Sequence, residues 1–500
     1  MGPIHDQQGQ EQGGVSSSDF YKIFSQELLQ TAQDSALGVP LGPLTVSAVG
    51  QADDTALLSN NIHQLYFLLH LTTLFCAKYQ VKLSSEKTKL QVYHKKELNQ
   101  LVDYVKGMNP IKLDGKSIDF VSSTEHVGLL RSTSGNLPSL LARIASHKKA
   151  LAAILHSGMA RSHRGNPAAS IRKQEIYANP VLFSGLGSLV LNDNEVNVID
   201  QHHKETLRNL QRLLPLTPQA VIFFLAGTLP GTAFLHLRQL SIFGIITRMP
   251  DSNIIRKHAT NIYSFETISP KSWFHQIREL CLQYSLPHPY LLLSSPILKS
   301  KFKNLVKKNV VDFWEQKLRH DSSPLESLQY FHPEYMSLSS PHPIWKTAGA
   351  SPTKVVMASV QALLISGRFR TEALCSHWST NSSGFCKLSN SCQTVENVEH
   401  FLKDCSALDK TRKNLSEFTN SYCTSHPEIK TIVEQYSKPE CRLFCQFLID
   451  CSILPEVIAS VQTNGEYILT HLFTITRIWC YTLYRERLKI LGRWRNFTKI

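Results

Sequence analysis

The chain has 500 residues, 42% of them hydrophobic, and a formal net charge of +14. That length allows about three domains with sizeable cores, which excludes a small disulfide-stapled scaffold and a disordered chain. A solvated surface does not need such a charge imbalance, whereas Lys and Arg spread along a broad groove or track suit a polyanion.

Residues 1–11 carry little pattern. The text then reads Gln12-Gly-Gly-Val-Ser-Ser-Ser-Asp19 and runs into a helical stretch with Phe20, Ile23, Phe24 and Leu28 on one face, capped by Asp19. Gly38-Val-Pro-Leu-Gly42 reads as a turn, and Leu44 to Gln51 as a strand. Val49-Gly-Gln-Ala-Asp-Asp-Thr-Ala-Leu-Leu58 has the pattern of two strands joined at an acidic tip. Asp53 and Asp54 there are either solvated turn residues or a carboxylate pair whose mutual repulsion a divalent cation offsets. Ser59-Asn60-Asn61 can cap a helix with Ile62, Leu65, Leu69 and Phe75 or Cys76 on its apolar face. A loop from Val81 leads to a strand ending near Tyr93, and short strands follow from Ile118 to Leu130. The mixture predicts an α+β unit over residues 1–135.

From Pro138 the pattern is helical. Leu140, Leu141, Ile144, Leu151, Ile154 and Leu155 form one face, with Arg143, Lys148 and Lys149 off it. Arg161, Arg164, Arg172 and Lys173 add charge, as do Lys299, Lys301, Lys303, Lys307 and Lys308, and the helical region is drawn over 136–319. Residues 320–353, with Pro324, Pro333, Pro341, Pro343 and Pro352, read as a linker or an irregular surface segment. A Cys/His module occupies 354–420 and a helical region 421–500. No run approaches the ~18 apolar residues of a membrane span. The 11 cysteines lack disulfide spacing and the N-terminus is polar. An intracellular chain, nuclear or cytoplasmic and neither secreted nor membrane-bound, is expected.

Four segments follow one another in a specific order: Gln-Gly-Gly-x-x-Ser before a helix, Ala52-Asp53-Asp54 on a hairpin, Ser85-Glu-Lys-Thr-Lys89, and Glu125-His-Val-Gly-Leu-Leu-Arg131. This series resembles the palm motifs of reverse transcriptases of non-LTR (LINE-type) retrotransposons. The resemblance implies a partial polymerase palm, then a helical thumb and connection, and RNA-directed DNA synthesis from dNTPs on an RNA template with a DNA primer. It implies that Asp53 and Asp54 hold Mg²⁺ for two-metal nucleotidyl transfer. Gln12, Gly13 and Gly14 would lie beside the nascent base pair and Lys87 near the triphosphate. Gly128 to Arg131 would form the primer-grip hairpin, and Arg143, Lys148 and Lys149 would track the duplex backbone.

The sequence also departs from that family. Gln51 stands where the family has an aromatic residue, beneath the primer terminus, and Ser18 where it commonly has Pro. The family's first palm motif carries another metal-binding aspartate tens of residues before the Gln-Gly segment, whereas eleven residues precede Gln12. Asp6 is too close to supply that strand. The expectation is an N-terminally truncated reverse transcriptase, lacking fingers, with little or no polymerase activity alone. A catalytically inactive nucleic-acid-binding remnant is the alternative.

Two further constellations follow. Cys386-x5-Cys392-x7-His400-x4-Cys405 offers three thiolates and an imidazole, a set suited to closed tetrahedral Zn²⁺, with Cys375 and His377 as alternative ligands. The family often carries a similar downstream cluster. Arg477, Trp479, Tyr481, Tyr484, Arg485, Arg487, Lys489, Arg493, Trp494 and Arg495 interleave bases with aromatics. That mixture suits either stacking on nucleic-acid bases or an amphipathic helix docked on the protein body.

Overall fold

The computed structural model describes residues 17–51, 54–93, 107, 111–113, 115–156, 165–265, 268–380 and 382–492. Among the described residues helices dominate and the strands form five separate two-stranded sheets, so the architecture is α+β in the coarse sense. The chain divides into two compact units, each discontinuous in sequence. One comprises Met1–Arg143, Ser184–Glu195 and Arg238–Asn304; the other comprises Ile144–Phe183, Val196–Leu237 and Leu305–Ile500. The serial blocks drawn from sequence do not follow this division, because composition marks Pro-rich stretches but not where the chain returns to an earlier unit.

In the first unit, helix Ser17–Asp34 lies beside helix Ile62–Tyr79. The second begins as its sequence dictates: Asn61 is extended at φ −146°, and its side chain accepts the Gln64 amide at 2.9 Å. It ends at Gln80 in the left-handed conformation. Leu28, Phe75 and Cys76 form the shared core, with Phe24 packed against it. Phe20 and Ile23, expected on that buried face, are 54% and 68% exposed. Periodicity located the helix but could not say where its cover stops. A second cluster, Ile111, Leu113 and Ile118, receives Ile62, Leu65 and Leu69 from helix Ile62–Tyr79.

The expected turn at residues 38–42 contributes strand Val39–Leu41, paired with Leu44–Val46. The single strand expected from Leu44 is interrupted at Ser47, a fully buried residue whose hydroxyl donates to the Leu37 carbonyl. Ala48–Gln51 then pairs with Asp54–Leu57 in antiparallel register, with Gln51 opposite Asp54. Strands Ser123–His126 and Leu129–Ser132 form a second hairpin. Its turn residues Val127 and Gly128 have φ of 52° and 67°, the left-handed pair that a two-residue hairpin loop demands.

In the second unit, the long helix Pro455–Ile490 packs against helices Pro352–Ile365, Asp409–Ser425 and Phe444–Ile449. The core includes Phe444, Phe447, Phe473 and Trp479, and Ala220 to Ala226 are all buried on their short helix. Residues 320–353 are not a free connector. Ile344 and Trp345 are fully buried, and Trp345 Nε1 donates to Gln211 Oε1 at 3.2 Å. The prolines there open short helices, Pro333–Tyr335 and Pro343–Lys346, a role proline shares with its role in linkers. Among the described residues no single helix is long and apolar enough to cross a membrane.

Candidate metal centre

A short hairpin held by the bridge Phe385↔Val395 carries the first two ligands. The Cys386 amide donates to the Thr394 carbonyl at 2.9 Å, and the Glu396 amide to Gly384 at 3.0 Å. Strand alternation turns Cys386 and Glu396 inward, where both are buried, and leaves Phe385, Lys387 and Val395 exposed. Between the arms, the Cys392 amide donates to the Ser389 carbonyl at 3.1 Å. The other two ligands flank a π-helical turn, His400–Asp404. Asn397 Oδ1 accepts the His400 amide at 2.7 Å, and the Cys405 amide donates back to the His400 carbonyl at 2.9 Å. The x4 spacing is therefore one π-type i→i+5 closure, a local form frequent at functional sites.

The four ligand atoms converge. Cys386 Sγ lies 3.7 Å from Cys405 Sγ, and Cys392 Sγ lies 3.4 Å from His400 Nε2. All four lie within 4.8 Å of one another. A tetrahedral zinc ion with its usual bond lengths requires S···S of ~3.8 Å and S···N of ~3.6 Å. Both of these pairs are close to those separations, so the four residues suit the ion, and no other group of three or more His, Cys, Asp or Glu with this geometry occurs among the described residues. Four protein ligands would close the coordination sphere of such an ion and leave no open position for a reacting water, as in structural zinc sites.

Backbone amides favour the thiolate form at these cysteines, and burial opposes it. The backbone amide two residues after each cysteine (Leu388, Thr394 and Ala407) hydrogen-bonds to its sulfur. Such donors favour the charged form. At Cys392 the Thr394 amide prevails and the thiol sits below its ordinary value. Burial wins at the other two: it pushes Cys386 up to about 12 and raises Cys405. Two buried thiols therefore hold their protons until a cation offsets the cost of the thiolates.

Behind the ligands, Arg487 of helix Pro455–Ile490 clamps Glu396. Its Nε donates to Oε1 at 2.7 Å and its Nη2 to Oε2 at 2.8 Å, with both side chains buried. Glu396 Oε2 also accepts the Glu372 amide at 2.8 Å. Burial opposes the Arg487 charge, yet the Glu396 hydrogen bonds outweigh it and hold the guanidinium above its ordinary value. Sequence reading had placed Arg487 in an ambiguous basic-aromatic stretch and missed Glu396. Arg477, Trp479 and Arg487 are 1%, 1% and 3% exposed, so this part of the helix docks on its own unit. The signal for Glu396 was a carboxylate between two ligand positions in a hydrophobic setting, Val395-Glu-Asn-Val398.

The other predicted residues fall as follows. Gln12, Gly13, Gly14 and Asp53 lie outside the described residues, as do Arg161, Arg164, Arg493, Trp494 and Arg495. Asp54 is exposed at the head of its strand, opposite exposed Gln51. Gly50 behind them packs so closely that an added Cβ would stand 3.2 Å from Leu29 Cδ1. Lys87 is exposed in a turn, its amide donating to Ser84 Oγ at 3.3 Å. Among the described residues no ion pair joins it to Asp54. Gly128 sits in its hairpin turn, and its carbonyl accepts from Arg143 Nη2, so that arginine is engaged within its own unit. Arg131 offers its carbonyl to Gln91 Nε2 at 3.1 Å. Lys148 and Lys149 are both exposed on helix Leu137–His156. Cys375 and His377 stand apart from the four-ligand group.

No family model matches the chain, and no curated protein matches it.

Proposed function

We propose that the chain is a reverse-transcriptase fragment of the non-LTR retrotransposon type that binds an RNA template paired with a DNA primer. The observation carrying this reading is the acidic hairpin. In the antiparallel register Gln51↔Asp54, Asp54 opens the second strand of the pair, an arrangement that suits the palm resemblance. It supports the reading that the Val127-Gly128 turn falls within the proposed primer-grip segment, in the expected order along the chain. The net charge of +14 and the exposed Lys148 and Lys149 suit a phosphate backbone.

The reaction implied by the family is Mg²⁺-dependent transfer of a nucleotide from a dNTP to a 3′-hydroxyl, and Mg²⁺ would supply charge stabilisation there. Asp54, the described member of the carboxylate pair, is exposed and free of protein ion pairs among the described residues. Two of the family's three metal-binding aspartates are present in these 500 residues. That favours the second reading for this chain on its own, binding without catalysis. The closed Cys₃His centre then serves as a structural module of the same protein.

Primer extension on an RNA template, run beside a binding assay on the same complex, tests both readings. The expected result is binding that weakens with salt and no extension. Robust extension abolished by Asp53→Ala would establish the enzyme and eliminate the inactive alternative. No binding to the primer–template at low salt would remove the reading altogether.

A further inference from the structure

The metal centre has two halves, the hairpin with Cys386 and Cys392 and the π-helical turn with His400 and Cys405, and one distant side chain touches both. Arg487 reaches the hairpin half through its paired hydrogen bonds to Glu396. The Glu396 amide in turn closes the hairpin on Gly384, and its carboxylate holds the Glu372 amide. Arg487 reaches the other half through the ring of Phe401, the residue after His400, with its guanidinium carbon 6.0 Å from the ring centroid. Phe369 completes the seat: it lies 5.7 Å from the guanidinium and stacks on Phe401 at 4.9 Å. The Arg487 Nη2 also donates to the Arg370 carbonyl at 3.0 Å.

We propose that Arg487 is a positioning residue of the metal centre, setting the two ligand-bearing halves at the separation the ion requires. A bidentate guanidinium fixes both distance and plane, which a single-point cation cannot do. Its side chain is walled by the Phe369 and Phe401 rings, which restrict its orientation. His400 Nδ1, by contrast, is buried with no protein acceptor, so the usual device for orienting a ligating imidazole is absent at that atom among the described residues. Orientation of His400 falls instead to its backbone and to Phe401. Coupling of this kind is reciprocal: if Arg487 raises metal affinity, metal must stabilise the turns around Arg487.

The proposal rests on the four-ligand centre binding zinc, and titration of the unaltered chain tests that premise separately. Zinc affinity is measured on the full chain by competition with a chromophoric chelator, and Co²⁺ absorption reports ligand geometry. Glu396→Gln and Arg487→Gln are expected to weaken zinc binding about 10–100-fold, the range seen for outer-shell changes. Arg487→Lys is expected to fall between these and the unaltered chain. Hydrogen exchange around Arg487 should slow on zinc binding in the unaltered chain and not in Arg487→Gln. Arg477→Gln is the control, because Arg477 is buried on the same helix but donates to Ile344 and Thr347. It should leave zinc affinity unchanged. Equal zinc affinity in folded Glu396→Gln and the unaltered chain overturns the proposal. An equal loss in Arg477→Gln also overturns it, by showing that any damage to the helix suffices. Failure of the unaltered chain to bind zinc removes the metal centre itself.

Discussion

Gly227 lies so close to Ser340 that a Cβ added to the glycine would stand 2.0 Å from the Ser340 carbonyl carbon. Gly227 also ends helix Gln219–Ala226 with φ of 64°, a conformation that a side chain resists. The next contact fixes the register, since the His342 amide donates to the Leu225 carbonyl at 3.1 Å. Gly227→Ala therefore meets a steric and a backbone cost together, expected to total at least about 2 kcal/mol. Urea unfolding should show a lower midpoint with an unchanged slope. An unshifted midpoint would mean that the chain near residue 340 is not packed against this helix.

Metal analysis should find one zinc per chain. Cys392→Ser removes one of four ligands, and His400→Ala removes another; each should release the ion. Chelation of the unaltered chain should lower its melting temperature, because the binding energy of a closed site contributes directly to folding. A Cys375→Ser chain should keep its zinc, since Cys375 stands outside the group.

Three histidines of the second unit, His147, His203 and His236, are each held at about 4, principally by burial. His147 Nδ1 and His202 Nε2 are 2.9 Å apart, and proximity to that second imidazole adds to the depression at His147. The folded state keeps these rings neutral, while the unfolded chain takes up protons near the ordinary value of 6.5. Their contribution to stability is therefore intact above pH 6.5 and falls progressively as pH drops from about 6.5 to about 4. Denaturant unfolding at pH 7, 6 and 5 checks this, with Cys392→Ser as background so that proton competition for the metal does not contribute. Stability that is flat from pH 7 to 5 contradicts the buried neutral state.

Lys148 and Lys149 are exposed beside buried His147, so their replacement should separate binding from folding. The double change Lys148→Ala/Lys149→Ala is expected to alter stability by no more than about 0.5 kcal/mol. It should reduce primer–template affinity and flatten its salt dependence by up to about two ions. Unchanged affinity and slope would place the nucleic acid elsewhere or nowhere on this helix.

Local rules were the legible part of this sequence. The Asn61 cap and the acidic hairpin each depend on residues within a few positions of one another, where chain geometry leaves few choices, and the Cys₃His set lies in one short stretch with Cys386 and Cys405 only 19 positions apart. The helix at Ser17–Asp34 was legible but the extent of its buried face was not, because exposure of Phe20 and Ile23 is decided by partners distant in sequence. The same limit hid the packing of residues 320–353, where proline marks helix starts and connectors alike. Arg487 was visible only as one base among aromatics. Its role comes from Glu396, 91 residues away, a pairing that no spacing rule encodes. Buried Arg477, Trp479 and Arg487 favour docking for the described part of that stretch.

The most direct test of the account is equilibrium binding of the 500-residue chain to a labelled RNA template–DNA primer, measured across salt with extension scored in the same samples. The account predicts a complex at 50 mM salt that weakens about tenfold or more by 200 mM, with the primer left unextended in the presence of Mg²⁺ and dNTPs. Absence of any complex at 50 mM salt would contradict the proposal that this chain handles nucleic acid at all.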